Sequence, residues 1–146
     1  MLLTLFVRRQ RRRRHPSSSS GWTRRDLWGA DLTPRDVREL LPGLQTVVVK
    51  DGAVAALALT TEATHRVPAL RTTVGEPVGA GDAFVAGYLA GYLAGLVRGA
   101  SPTHAPRLGH VTAVSALKVT GDHGRLADPE ERRLLYLSDE TWESSV

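Results

Sequence analysis

The stretch Val74–Phe84 constrains the fold more than any other part of this chain. Its centre, Gly79-Ala80-Gly81, has no side chain larger than a methyl group, so the backbone can turn sharply and bring N–H groups to one point. Asp82 follows directly, and apolar residues then recur at helical spacing up to Val97. A glycine turn that leads into a helix attracts anions, because unpaired N–H groups and the positive end of the helix dipole both favour negative charge.

Asp82 lies in the first turn of this predicted helix. The positive end of the helix keeps its carboxylate ionised, so that it can take a proton from a hydroxyl lying beside a bound phosphate. An anion-binding turn and a carboxylate base are the minimum needed to move a phosphoryl group onto an alcohol. Gly-x-Gly before a helix is also common as an ordinary tight turn, so these few residues leave both interpretations open.

Charge is unevenly distributed along the 146 residues. The net charge of +4 arises in residues 1–25, which hold eight arginines and no acid and leave eleven Lys and Arg against fifteen Asp and Glu in residues 26–146. Six of these arginines follow the apolar residues 1–7, whereas a secretory signal carries its positive charge before its apolar stretch. A run of serines follows at Ser17–Ser20. We predict that residues 1–25 are a disordered basic tail with a flexible linker, followed by one folded domain over residues 26–146.

The pattern of residues 26–146 predicts strands first and helices afterwards. The predicted strands are Thr46–Lys50, Val54–Thr60, Thr64–Val67 and Thr72–Val74. The predicted helices are Asp31–Leu41 with Thr33 as N-cap, Asp82–Val97, Leu108–Val119, and a short one over Arg132–Leu137 that follows the N-cap Asp128. A glycine turn where strands give way to helices indicates an α/β fold with its site at the strand ends.

Several classes of site are disfavoured by the sequence. Cysteine is absent, which excludes a disulfide framework and a thiolate metal site and fits a cytoplasmic protein. The five histidines have no paired ligand spacing, so we infer no zinc site. Gly87, Gly91 and Gly95 resemble a transmembrane dimer face, but the apolar run around them spans about 15 residues, whereas a bilayer needs ~20. We expect these glycines to pack closely on a sheet, and we expect no membrane partner.

The string Gly-Ala-Gly-Asp-Ala-Phe over residues 79–84, with an acidic residue three positions before it and a Gly/Ala-rich helix after it, resembles the second signature of the ribokinase-like (PfkB) carbohydrate kinases. The resemblance extends over about Leu27–Leu137. It implies the C-terminal part of a doubly wound three-layer α/β sandwich. The ending Val119–Gly124 is most similar to the 2-keto-3-deoxygluconate kinase branch. Members of the family are longer, and we expect a fragment that keeps the nucleotide end of the site and lacks the sugar end.

The resemblance also implies roles for single residues. Asp82 would be the catalytic base, with Gly79, Ala80 and Gly81 as the anion hole, and ATP with Mg²⁺ would bind. A strand ending in Lys-x-Gly borders the nucleotide in this family, and Lys50-Asp51-Gly52 is similar to it. The implied nucleotide-binding residues are Lys50, Gly52, Ala53, Ala55, Gly79, Ala80, Gly81, Asp82 and Thr112. Ala55 stands where a second glycine is frequent, Thr112 where an asparagine near the adenine is frequent, and Glu76 where the family has an aspartate at a monovalent-cation site.

Three functions are consistent with the sequence. The favoured one is ATP-dependent phosphorylation of a sugar or sugar-acid hydroxyl, with a substrate similar to 2-keto-3-deoxygluconate, in a cytoplasmic kinase of which this chain is a truncated form. One alternative is a nucleotide-binding remnant without turnover. The other is a nucleic-acid-binding protein that uses its arginine block, although that block lacks interleaved aromatic residues and a folded basic face. Half a sheet would leave an unpaired edge, so self-association through that edge is a further expectation.

Overall fold

The structure is a computed structural model that describes residues 2–7, 34–40, 42–73, 78–119 and 125–145. Its strands are β1 (Leu2–Val7), β2 (Thr46–Asp51), β3 (Ala55–Leu59) and β4 (Thr64–Pro68). Its helices are α1 (Pro34–Leu40), α2 (Ala80–Arg98), α3 (His104–Leu117), α4 (Pro129–Arg133) and α5 (Asp139–Ser144), with a 3-10 helix at Leu134–Tyr136 between the last two.

The four strands form one mixed sheet in the order β1-β2-β3-β4. β1 is parallel to β2, and the pairs β2–β3 and β3–β4 are antiparallel. In β2, Val47 and Val48 are fully buried and Val49 nearly so. Such burial of consecutive residues is typical of a strand that is covered on both faces, as its run of β-branched residues predicts. The sheet places the end of β2, at Lys50 and Asp51, beside the start of β3.

The prediction that residues 1–25 are disordered is wrong for Leu2–Val7, which form β1. This segment contains no charge, proline or glycine and is rich in strand-forming residues. Beside it, β2 presents a row of backbone N–H and C=O groups, and β1 pairs with that row from Leu2 opposite Thr46 to Val7 opposite Asp51. Residues 8–25, with the arginine and serine runs, lie outside the described residues.

The predicted helices are confirmed where the structure describes them, with shifted bounds. α2 begins at Ala80 instead of Asp82. α3 begins at His104, four residues before the predicted start, because Pro106 is tolerated in the first turn of a helix. The short helix after Asp128 already begins at Pro129, and α5 was not predicted at all. The prediction of a strand at Thr72–Val74 is wrong for its first two residues, which have no strand partner.

The glycine face of α2 packs against α3, so the prediction that it packs on the sheet is wrong. A Cβ atom added at Gly87 would collide with Thr112 Oγ1 and lie 2.7 Å from the carbonyl oxygen of Leu108, and one at Gly91 would lie 2.9 Å from Ala105 Cα. Side chains at these positions would therefore push the two helices apart. The sheet is instead contacted by Phe84 and Tyr88 of α2, which join Val48 and Ala56 in one buried cluster.

Among the described residues, α2 is the helix that is long and apolar enough, by length and composition alone, to cross a membrane. Core helices of other proteins meet the same two criteria. One face of α2 is buried here against α3 and the sheet through Phe84, Gly87, Tyr88 and Gly91.

Candidate phosphate and nucleotide site

The glycine turn is built around Gly79, the N-cap of α2, which has φ 76° and ψ −12°. This left-handed conformation is readily adopted by glycine and strained for residues with a side chain. Its carbonyl accepts the first helical hydrogen bond from Ala83 N at 2.9 Å, and no side chain caps the helix. The first N–H groups of α2 therefore lack a helical partner and are available to an anion.

Gly81 does not share this conformation. Positive φ values among the described residues occur at Gly52, Gly79 and Gly99. Gly81 lies inside the first turn of α2 and has a helical backbone. The sharp turn that the Gly-x-Gly pattern predicts is thus made by its first glycine, and any role for Gly81 would come from its N–H group and its small size.

Asp82 is exposed in the first turn of α2. No side chain among the described residues forms a hydrogen bond or an ion pair with it. An acidic group at this end of a helix is stabilised by the helix dipole. Its carboxylate is therefore open to a ligand that approaches the turn.

Lys50 connects the end of β2 to the start of α2. Its ammonium donates a hydrogen bond of 2.6 Å to the carbonyl of Gly52 and lies 5.3 Å from the centre of the Phe84 ring. Phe84 follows Asp82 by two residues, so the Lys-x-Gly loop and the glycine turn meet through this ring. Partial burial lowers the pKa of Lys50, and the nearby charge of Asp51 opposes that shift.

His110 of α3 completes this contact and was missed by the sequence analysis. Its ring lies 5.1 Å from the ring of Phe84 in an edge-on arrangement, and Nε2 is 3.1 Å from the carbonyl oxygen of Val67. Burial, together with the charge of Lys50, lowers the pKa of His110 to about 4, although the hydrogen bond to Val67 opposes both. The neutral ring therefore donates Nε2–H to Val67. The sequence analysis considered the histidines only as metal ligands, and the burial of His110 depends on packing against Phe84, which lies far away in the sequence.

A cleft of about 830 Å³ opens beside these residues. Three of the predicted nucleotide-binding residues, Lys50, Gly52 and Ala53, line it at the β2–β3 loop. The segment after β4 contributes Arg71, and β4 itself contributes Arg66. The cleft is therefore bordered by the β2–β3 loop and by three cationic side chains, with Glu143 as an acidic neighbour, a composition that suits a phosphorylated ligand.

Six of the nine predicted nucleotide-binding residues do not line this cleft: Gly79, Ala80, Gly81 and Asp82 at the start of α2, and Ala55 and Thr112. Ala55 is buried in β3, opposite Asp51 and Pro68 in the sheet. Thr112 faces α2 at Gly87, and its hydroxyl donates a hydrogen bond of 2.7 Å to the carbonyl of Leu108. The proposed contact of Thr112 with adenine stays a prediction. Glu76 lies outside the described residues.

The structure thus brings a glycine turn with an open aspartate at a helix start close to a Lys-x-Gly loop at the end of a buried strand, in an α/β fold. The profile of the pfkB family carbohydrate kinases matches residues 24–127. The chain belongs to this family, and the resemblance inferred from residues 79–84 is confirmed.

The relatives extend this result. The chain is 36% identical over 97 residues to a 2-dehydro-3-deoxygluconokinase of Thermoproteus tenax. The aligned region covers 66% of this chain and 28% of that protein. An adenosine kinase from Sinorhizobium meliloti matches with a TM-score of 0.64 at 21% identity, over 89% of this chain and 35% of the other. Phosphofructokinase-2 from Escherichia coli matches with a TM-score of 0.56 at 26% identity, over 77% and 36%. The ribokinase-like fold is confirmed, and the chain spans about a third of the length of these relatives.

Proposed function

We propose that this chain forms the nucleotide end of a cytoplasmic kinase that transfers phosphate from ATP to a hydroxyl of a sugar or sugar acid, with a substrate similar to 2-keto-3-deoxygluconate. The observation that carries the proposal is the left-handed Gly79 turn, which leads into a helix whose first turn presents an open Asp82. The match to a 2-dehydro-3-deoxygluconokinase supports the substrate class. The sugar-binding side belongs, in this proposal, to the part of the kinase fold that this chain does not match.

In the proposed reaction, the N–H groups of Gly79, Ala80 and Gly81 bind oxygens of the transferred phosphate. Asp82 takes the proton of the substrate hydroxyl. The hydroxyl oxygen then forms a bond to the γ-phosphorus, and the bond from that phosphorus to the bridging oxygen breaks, so that ADP leaves. The nucleoside lies along the cleft at Lys50–Ala53.

Mg²⁺ is expected to arrive with ATP, whose charge it partly neutralises. It generally keeps several waters and takes one or two carboxylates in addition to phosphate oxygens. Within residues 34–40, 42–73, 78–119 and 125–145 no group of three or more His, Asp or Glu side chains is placed to hold a metal. In this proposal the ion is carried by the nucleotide, and Asp82 at the start of α2 is a carboxylate that could contact it. Glu76 stays a candidate for a monovalent-cation site.

Titration with ATP and with DNA separates this proposal from its two alternatives. A kinase portion and a turnover-free remnant would both bind ATP, whereas a protein that acts through its arginine block would bind DNA only while those arginines are present. We expect calorimetry to detect ATP binding to the chain, and we expect replacement of the six arginines between Arg8 and Arg14 by serine, which leaves β1 in place, to abolish any DNA binding. DNA affinity that survives this replacement, without ATP affinity, would contradict the proposal.

Asp82→Asn tests the chemistry once the chain is joined to the preceding portion of the Thermoproteus tenax relative. We expect turnover with 2-keto-3-deoxygluconate to fall roughly 10²–10⁴-fold, while ATP affinity stays within a few-fold, because a general base acts mainly in the transition state. Glu140→Gln, at another exposed carboxylate in the first turn of a helix, is the control and should change neither quantity. ATP binding without turnover in the unmutated fusion would favour the inactive remnant.

Self-association through a sheet edge also remains a proposal, and the two edges differ. At β4, the carbonyls of Val67 and Pro68 already accept hydrogen bonds from His110 and Trp142. β1, at the other edge, contains no charge and no proline. We therefore assign the edge-to-edge contact to β1.

A further inference from the structure

The ammonium of Lys50 is engaged by two groups of the protein itself. Nζ donates a hydrogen bond of 2.6 Å to the carbonyl of Gly52, and it lies 5.3 Å from the centre of the Phe84 ring. A cation at this distance from an aromatic face is attracted by the ring. The first contact is within the β2–β3 loop and the second is with α2, so one side chain joins two elements of the candidate site.

The contact with Gly52 fixes the shape of the β2–β3 loop. Gly52 has a left-handed backbone with φ 51°, and the N–H of Val54 donates a hydrogen bond of 2.9 Å to the carbonyl of Asp51 across the same turn. Gly52, Ala53 and Val54 line the cleft. A loop whose shape is set before a ligand arrives binds that ligand more tightly, because less conformational freedom is lost on binding.

The contact with Phe84 connects this loop to the helix that carries Asp82. Phe84 is fully buried, and the ring of His110 lies 5.1 Å from its ring. A ring that is packed in this way does not shift freely. Asp82 precedes Phe84 by two residues in α2. The position of the β2–β3 loop is therefore set relative to the carboxylate of Asp82.

We propose that Lys50 is a positioning residue, which holds the β2–β3 loop in register with Asp82 through the Gly52 carbonyl and the Phe84 ring and does not itself bind phosphate. The inference rests on the proposed function, in which the nucleoside lies along this loop, and it changes the role that the family resemblance implies for Lys50. Arg66 and Arg71 line the cleft and have no partner among the described residues. They are then the cationic side chains that stay open to a phosphorylated ligand.

Hydrogen exchange of the chain without ligand tests whether Lys50 holds the loop. Lys50→Met keeps a long side chain and removes the amino group, so we expect the Val54 amide to exchange roughly tenfold faster or more, with the amides of α3 as the internal reference. Lys118→Met is the matched control, because Lys118 pairs with Glu131 and does not line the cleft. It should leave the Val54 rate unchanged, and an unchanged rate in Lys50→Met would overturn the proposal.

Phe84→Leu tests the connection to α2. Phe84 does not line the cleft, yet loss of its ring should also speed exchange of the Val54 amide. When Phe84→Leu is combined with Lys50→Met, the two effects should be less than additive, because each variant removes the same contact. Fully additive effects would show that the ring does not act through Lys50 and would overturn the proposed coupling.

Adenosine and ATP separate positioning from direct phosphate binding. A loop-holding Lys50 requires that Lys50→Met lower the affinity of the chain for both ligands by the same factor, roughly tenfold, because both lie along the loop. A loss confined to ATP, measured by calorimetry on the folded fraction, would mean that Lys50 binds phosphate and would overturn the proposal. A chain that binds neither ligand, but shows faster Val54 exchange in Lys50→Met, would contradict the proposed kinase function and support the holding of the loop by Lys50.

Discussion

The polar groups of the C-terminal segment, residues 125–145, are paired with one another and with α3, whereas those of the glycine turn before α2 are open. In the C-terminal segment, Glu131 accepts hydrogen bonds from Ser115, Lys118 and Arg125 at 2.6–2.8 Å. Arg107 reaches from α3 to the carbonyl of Leu137. At the turn, by contrast, Asp82 has no partner among the described residues, and Gly79 provides no side-chain cap.

This difference separates groups that stabilise the fold from groups that can bind a ligand. A buried carboxylate that accepts several hydrogen bonds holds distant segments together, and its loss leaves donors unsatisfied. Open N–H groups and an open carboxylate contribute little to stability and are free to interact with phosphate or a hydroxyl. Changes in the C-terminal segment should therefore lower the free energy of unfolding, whereas changes at the turn should act on nucleotide affinity and turnover.

Lowering the pH is expected to have the largest effect on the free energy of unfolding, and it acts through His110, which lines the cleft. The pKa of His110 is lowered to about 4 in the folded chain, whereas an unfolded histidine titrates near its ordinary value of about 6.5. Between these values the unfolded chain binds the extra proton, so the free energy of unfolding falls as pH drops from 6.5 to 4, by on the order of 3 kcal/mol. Urea unfolding at a series of pH values measures this slope.

His110→Gln should remove most of the slope between pH 6.5 and 4, whatever it does to stability at pH 7. His104→Gln, at the first residue of α3, is the control and should leave the slope in place. The C-terminal segment behaves differently: burial tends to raise the pKa of Glu131, but hydrogen bonds from Lys118 and Ser115 outweigh it and lower the pKa overall. The contribution of Glu131 to the free energy of unfolding is therefore lost only as the pH falls through the ordinary pKa of a glutamate and below it. An unchanged slope in His110→Gln would show that another group controls it.

Replacement of Glu131 tests directly whether the C-terminal segment stabilises the fold. Glu131→Ala removes the acceptor shared by Ser115, Lys118 and Arg125, and Ser115 is completely buried. We expect the free energy of unfolding to fall by about 2–3 kcal/mol, with ATP affinity unchanged per folded molecule. The neighbouring Glu130→Ala removes only an exposed ion pair with Arg133 and should cost less than about 1 kcal/mol. Equal losses for the two variants would contradict the assignment.

Two left-handed glycines at the ends of α2 allow the turn to be tested with a matched pair. Gly79→Val and Gly99→Val both place a β-branched residue at positive φ, 76° and 67°, so each should lose roughly 1–3 kcal/mol of stability. Only Gly79→Val distorts the N–H groups proposed to bind phosphate, and we expect ATP affinity to fall at least tenfold there. Calorimetry on the folded fraction measures it. Equal ATP affinity in both variants would mean that the turn is purely structural.

The sequence predicted the elements whose signals are local. The glycines before α2, the β-branched run of β2 and the N-cap at Asp128 each act on residues a few positions away. The last is confirmed by the hydrogen bond that Asp128 accepts from Glu131 N. These features specified the fold class and the turn with its aspartate.

The parts that sequence reasoning missed depend on contacts distant along the chain. β1 is a strand because β2, some forty residues later, offers it a partner. His110 is neutral because tertiary packing buries it against Phe84. α5 is too short to show helical periodicity, and it is held by Trp142, whose Nε1–H bonds to Pro68 seventy-four residues earlier. Propensity and periodicity carry no information on such pairs.

Trp142→Phe is expected to give the smallest effect and tests how the C-terminal segment is anchored. The ring of Trp142 packs with Val67 and Val111, and Arg107 lies 4.8 Å from its centre. Phenylalanine retains an aromatic ring there and removes the hydrogen bond to the carbonyl of Pro68, so the free energy of unfolding should fall by about 1 kcal/mol. Tyr136→Phe, which alters a residue that is 83% exposed, should change it by less than about 0.5 kcal/mol. Because Pro68 lines the cleft, a loss of ATP affinity in Trp142→Phe would show that this anchor also shapes the nucleotide site, and the separation between the two regions would fail there.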